Sequence, residues 1–182
     1  NPDWLLSFFN NPSIIRPNLQ VKMPSFHQIT DEEWDAIITY FQLVDDENIK
    51  YRGDHPFDKY STEFAAGAKL HEIGQCNSCH FYGEEFPTGD APTWAPNLAL
   101  TKERLNADWV TEWLRNPSKI MPGTKMPAPY VPDREILSMN GAETDWGKDL
   151  IALDGDTTAM LNGLRDYLWN IQGETNIDGL IK

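Results

Sequence analysis

The sequence predicts a helical protein, on two observations. From Glu63 to Ile73, the residues Phe64, Gly67, Ala68 and Leu70 recur near one face at helical spacing, and Gly74 follows as a helix C-cap. Earlier in the chain, Thr30-Asp31-Glu32-Glu33 has the pattern of a capping box, and a helix continues from it through Ala36, Ile37, Tyr40 and Phe41. Between these helices, Asp45 to Lys59 is charged, contains Gly53 and Pro56, and has no helical periodicity. It reads as a linker.

The 182 residues suffice for one ordinary domain with an appendage, or for two small ones. No apolar run approaches the length of a membrane span, so any anchor would lie in a segment not in this chain or in a partner. The chain opens Asn1-Pro2-Asp3-Trp4, without a basic segment ahead of an apolar one, and reads as a processed or trimmed product. Fifteen Lys and Arg against 28 Asp and Glu give a net charge of −13. Such a surface repels nucleic acid and favours salt-sensitive encounter with a basic patch on a protein. A charge that serves only solubility is the plainer alternative.

Both cysteines sit in one motif, Cys76-Asn77-Ser78-Cys79-His80, so the chain is not a disulfide scaffold. C-x-x-C-H is the attachment pattern of a covalent c-type haem. Two thiols at this spacing reach two vinyl groups on one porphyrin edge, and the next residue, His80, is carried under the ring as an iron ligand. A zinc site would need four ligands, and no second Cys pair or zinc-like His pair exists. A thioredoxin-type motif would want a strand before the cysteines, where this chain has a helix.

A haem iron that only transfers electrons needs a sixth ligand. Among five methionines and three further histidines, Met126 is the leading candidate. It lies in Pro122-Gly123-Thr124-Lys125-Met126-Pro127, a loop stiffened by its prolines. Met121 competes most closely, while Met139 and Met160 lie in less constrained settings. His71 sits on the helix entering the motif and cannot cross to the opposite face; His27 or His55 would give a bis-His haem, the second choice. A backbone carbonyl usually accepts the free N–H of such a histidine, and Pro96, in Ala95-Pro96-Asn97-Leu98, or Pro92 offers one.

Cys76 to His80, Ala95 to Leu98, Trp109 to Trp113, and Asn116-Pro117 through Met126-Pro127 together resemble a class I cytochrome c domain over about residues 58–182. The resemblance implies an all-α fold of three main helices plus loops: one entering Cys76, a middle one over about 106–115, and a last one over about 157–171. It implies that the first and last helices cross, with Gly67 and Leu70 near Leu164, Tyr167 and Leu168. It also implies His80/Met126 ligation and a Pro96 carbonyl on His80. The chain departs from the compact pattern in a polar insertion over about 128–156, whose Tyr130, Trp146 and Leu150 either cover the core or meet a partner.

The N-terminal stretch repeats part of this pattern. Trp4 matches Trp109, Asn11-Pro12-Ser13 matches Asn116-Pro117-Ser118, Ile15 matches Ile120, Pro17 matches Pro122, and Lys22-Met23-Pro24 matches Lys125-Met126-Pro127. The helix after Thr30, with Tyr40-Phe41, echoes Tyr167-Leu168. Residues 1–45 therefore look like the second half of a cytochrome c domain without its haem motif, 46–57 like a linker, and 58–182 like the haem domain. Met23 is then either a ligand of a second site or a vestige, and the apolar face of the half-domain calls for a partner surface.

The expected function is single-electron transfer through one covalent haem c with His/Met ligation, by a carrier or a cytochrome subunit of a respiratory complex, and not an enzyme of its own. The expected partners are redox proteins with basic docking patches, in some settings a larger membrane complex, with no nucleic acid and no small-molecule substrate. Location outside the cytoplasm, such as the periplasm, follows from the resemblance, because haem attachment is completed across the membrane. The rival reading is a haem enzyme or gas sensor with an open sixth site.

Overall fold

The computed structural model describes residues 1–16, 19, 23–44 and 55–173. These residues are helical, with no strand among them, so the all-α class holds. The helices are α1 (Pro2–Asn10), α2 (Asp31–Val44), α3 (Thr62–Ile73), α4 (Thr101–Arg104), α5 (Ala107–Arg115), α6 (Pro117–Ile120), α7 (Arg134–Leu137), α8 (Ala142–Ala152) and α9 (Thr157–Trp169). Most of the stretch read as a linker, and Pro17 and Lys22 of the internal repeat, lie outside the described residues.

The chain divides into two compact units, each discontinuous in sequence. The first comprises 1–53, 77–106 and 172–182, the second 54–76 and 107–171. In the first, α1 begins at Asn1, whose side-chain oxygen accepts from the N–H groups of Asp3 and Trp4. Pro2 takes the first helical turn, where its missing N–H costs nothing. The capping box of α2 closes in both directions: Glu33 N–H donates to Thr30 Oγ1 at 3.3 Å, and Thr30 N–H donates to Glu33 Oε2 at 2.9 Å. The two helices meet over Phe9, Trp34 and Ile38, with Met23, Phe26 and Ile37 packed around them. Phe9 and Trp34 stack at 4.5 Å between centroids, a pairing that adds to the area they bury.

One face of α2 has no cover among the described residues. Tyr40, Phe41, Leu43 and Val44 are all exposed, Leu43 to 76%. At the matching place on α9, Leu168 is buried and Tyr167 is partly so. Among the described residues, the repeat seen in the sequence is therefore a repeat of helix type without a repeat of its packing.

The second unit is organised by α3 against α9. Ser61 caps α3, its Oγ accepting from Phe64 N–H at 3.1 Å. The helices touch backbone to backbone where Gly67 faces Gly163, a residue not singled out in the sequence. Phe64 and His71 both lie on the ring of Tyr167, at 5.7 and 4.9 Å. Leu70, Leu161 and Leu164 are almost fully buried around the crossing. Buried Arg165 ties α9 to α5 by donating to Thr111 Oγ1 at 3.2 Å, and it pairs with Asp166 at 2.8 Å. His55 joins the same carboxylate at 2.8 Å.

The polar insertion folds into α7 and α8, and α8 packs against α3. Leu150 is fully buried there, which settles its role as core cover. Tyr130 and Trp146 meet at 5.7 Å, with Tyr130 still 56% exposed. Within α8, Gly147 has φ 79°, a left-handed value that a β-carbon would oppose, and the helix kinks there.

Candidate functional site

The C-x-x-C-H motif begins where α3 ends. Gly74 caps that helix with right-handed backbone angles, and the left-handed turn falls on the next residue, Gln75, at φ 49°. Cys76 to Ser78 then form one 3-10 turn, which places Cys76 and Cys79 on consecutive turns of backbone, neither of them in a disulfide. Three consecutive carbonyls of the motif accept backbone hydrogen bonds: Asn77 from Thr88 at 2.9 Å, Ser78 from Gly89 at 2.9 Å, and Cys79 from Ala95 at 2.8 Å. Gly89 approaches so closely that a β-carbon there would lie 2.5 Å from the Ser78 carbonyl oxygen. Trp94 closes the loop by donating its indole N–H to the Gly89 carbonyl at 2.9 Å. Beneath the loop, Phe81 is fully buried, in edge contact with Trp94 and tilted against Phe86.

His80 Nδ1 lies 2.7 Å from the Pro96 carbonyl oxygen. A carbonyl only accepts, so Nδ1 carries the proton, and in the neutral ring Nε2 is left with a free lone pair. Burial pushes the imidazole below its ordinary pKa, against a smaller upward pull from the Pro96 carbonyl, and this favours the neutral ring that a metal requires. Of the two prolines weighed in the sequence, Pro96 is the one that makes the bond.

Asn97 is what holds Pro96 in place, and its part was not read from the sequence. It is 3% exposed, accepts from Gly83 N–H at 3.0 Å and Ala99 N–H at 3.1 Å, and donates to the Gly83 carbonyl at 2.9 Å. The signal lay in view, as a polar residue directly after Pro96 in a loop with apolar neighbours. Asn97→Ala strands three buried backbone groups and is expected to cost about 3 kcal/mol in stability. Asn97→Asp, which keeps both acceptor bonds, should fall between the two in urea unfolding; equal stability of all three proteins would count against the clamp.

Met126 belongs to the second unit. Its Sδ accepts the indole N–H of Trp113 at 2.8 Å, and Trp113 in turn stacks on Trp109 at 5.3 Å. The competing ligands stand elsewhere. Met160 is fully buried in the core, while Met121 and Met139 are more than half exposed. His55 is engaged by Asp166, and His71 lies against Tyr167. Met23, in the first unit, packs at the edge of the Phe9–Trp34–Ile38 core and lines a cavity. Cys79, His80 and Pro96 are thus brought together in the first unit, Cys76 and Met126 lie in the second, and Met23, also in the first, lines a cavity to which Pro96 contributes.

Among the described residues, no group of three or more His, Cys, Asp or Glu side chains is placed to hold a bare metal ion. A haem would bring four equatorial nitrogens of its own and ask the protein for two thiols and axial donors, and Cys76, Cys79 and the free Nε2 of His80 are residue types of that kind. No protein-family model matches the chain, and none of the curated proteins matches it. What the site can do is therefore argued from its chemistry.

Proposed function

We propose that the chain is an electron-transfer protein carrying one covalent c-type haem, in a domain like that of class I cytochromes c. Cys76 and Cys79 form the thioether links, His80 is one axial ligand and Met126 the other. The observation that carries this reading is the His80–Pro96 bond within a C-x-x-C-H motif. It fixes the proton on Nδ1 and leaves Nε2 for iron. A haem bound there supplies the one-electron couple. The chain's own residues hold the ring nitrogens and thiols in place. The carbonyl bonds to Thr88, Gly89 and Ala95 keep the motif from reorganising between oxidation states. The Trp113 N–H fixes the rotamer of Met126, so that its soft sulfur, which favours ferrous iron, is held without a long search.

The same reading places the protein outside the cytoplasm, as a free carrier or as a cytochrome subunit tethered through a partner. The net charge of −13 favours redox partners with basic docking patches. No helix among the described residues is long and apolar enough to cross a membrane.

The test is haem stoichiometry by pyridine haemochrome together with optical spectra of the oxidised and reduced protein, with CO added to the latter. One covalent haem, low-spin in both states and unreactive to CO, is the expected result. High-spin iron that takes up CO would move the open-site enzyme or sensor to first place, and absence of covalent haem from a chain matured with its attachment machinery would end the reading altogether.

A further inference from the structure

Beside α1, the first unit holds a cavity of about 360 Å³ whose walls are Phe8, Ile14, Leu19 and Met23 and whose charged rim is Arg16 and Arg104. Its chemistry is out of keeping with the rest of the chain. In a protein where acidic residues outnumber basic ones 28 to 15, two guanidinium groups converge on one apolar hollow, and no acidic side chain lines it among the described residues. Neither arginine has an ion pair among those residues. The Nε of Arg104 is buried without a hydrogen-bond partner, and its guanidinium lies 5.0 Å over the ring of Trp4. Burial first, and the charge of Arg16 second, press the pKa of Arg104 below its ordinary value. Holding the partly buried guanidinium of Arg104 beside a second positive charge costs free energy, and a bound anion would offset it.

We propose that this cavity binds a ligand with an apolar body and a carboxylate head, the head on Arg16 and Arg104 and the body along Phe8, Ile14, Leu19 and Met23. The volume lies in the range of small-molecule sites, and apolar walls with a few polar groups are their usual composition. Arginine suits a carboxylate because its planar fork offers parallel N–H donors. Two sources share this chemistry: a fatty acyl carboxylate, and a porphyrin propionate, for which the Met23 thioether would add a soft donor to iron. Of the cavity's lining, only Pro96 also serves the covalent site, so the proposal stands whether or not that site carries haem.

Isothermal titration calorimetry of the full chain with dodecanoate, with dodecan-1-ol and with haemin tests it. Dodecanoate should bind once per chain and at least about tenfold tighter than the uncharged alcohol, since a hydrogen bond to a charged group is worth about 1.5–3 kcal/mol. Arg104→Gln and Arg16→Gln should each weaken it by about tenfold; Arg16 is exposed, so its variant keeps the test sound if Arg104→Gln fails to fold. Haemin that displaces dodecanoate and binds more weakly in Met23→Ala assigns the head to a porphyrin, whereas haemin that does not compete assigns it to an acyl chain. Equal affinity for acid and alcohol, no saturable binding of either acid, or indifference to the Arg16→Gln and Arg104→Gln substitutions would overturn the proposal.

Discussion

Gly163→Ala is expected to destabilise the unit built on α3 and α9 by more than about 3 kcal/mol, and Gly67→Ala to do nearly the same. A β-carbon on Gly163 would overlap the Glu63 carbonyl, lying 2.6 Å from its carbon, and one on Gly67 would lie 2.5 Å from the backbone nitrogen of Leu164. In both cases the obstacle is backbone rather than the tip of a side chain, so no rotamer change relieves it. Overpacking a core usually costs about 1–3 kcal/mol, and a clash between two helix backbones belongs at or above the top of that range. Alanine would otherwise favour a helix by up to about 1 kcal/mol over glycine, which makes the sign of the result informative. The melting temperature should fall by about 10 °C or more in a unit of this size. A variant within 1 kcal/mol of the parent in urea would mean that the helices can slide apart without penalty.

The second large effect concerns Met126. If the proposed ligation is right, Met126→Ala leaves His80 as the sole axial protein ligand. The ferrous protein should change from low-spin to high-spin and bind CO that the parent refuses. The potential should fall by an amount on the order of 0.1 V, a modest share of the roughly 0.8 V over which axial ligands set it. Met126→His is the companion variant. It should restore a low-spin spectrum while keeping the lowered potential, because imidazole favours ferrous iron less than a thioether does. Should Met126→Ala remain low-spin and closed to CO, the sixth ligand is another residue, and the bis-His alternative returns. Of its two candidates, His55 is held by Asp166, which leaves the exposed His27 as the one to test.

The parts of this molecule that could be read from its sequence are those whose signal is local. The helix entering the motif shows itself in the spacing of Phe64, Gly67 and Leu70, and the capping box at Thr30 and Glu33 needs only four residues to be seen. Leu150, Tyr130 and Trp146 could be picked out as apolar residues in a polar stretch, but not assigned. Their segment folds into the four-residue α7 and a helix broken at Gly147, too short and too irregular to build up a period. The Trp113–Met126 bond joins residues whose separation carries no periodic signal. Asn97 acts through three backbone partners, and nothing in the identities of Gly83 or Ala99 announces that a side chain will bind them. The fold class and the motif are therefore legible, while the supports that hold the motif depend on tertiary placement.

The face of α2 that no described residue covers has a consequence for how the protein must be handled. Its four large apolar side chains are kept from sticking to neighbouring copies chiefly by the like charge every copy carries. That protection is lost as the pH approaches the isoelectric point near 4.6, and it shortens in range as salt is added. Acidic or high-salt buffers should therefore bring on cloudiness and sedimentation while the helices remain intact, and Tyr40→Lys with Leu43→Lys should delay them even though both changes bring the net charge closer to zero.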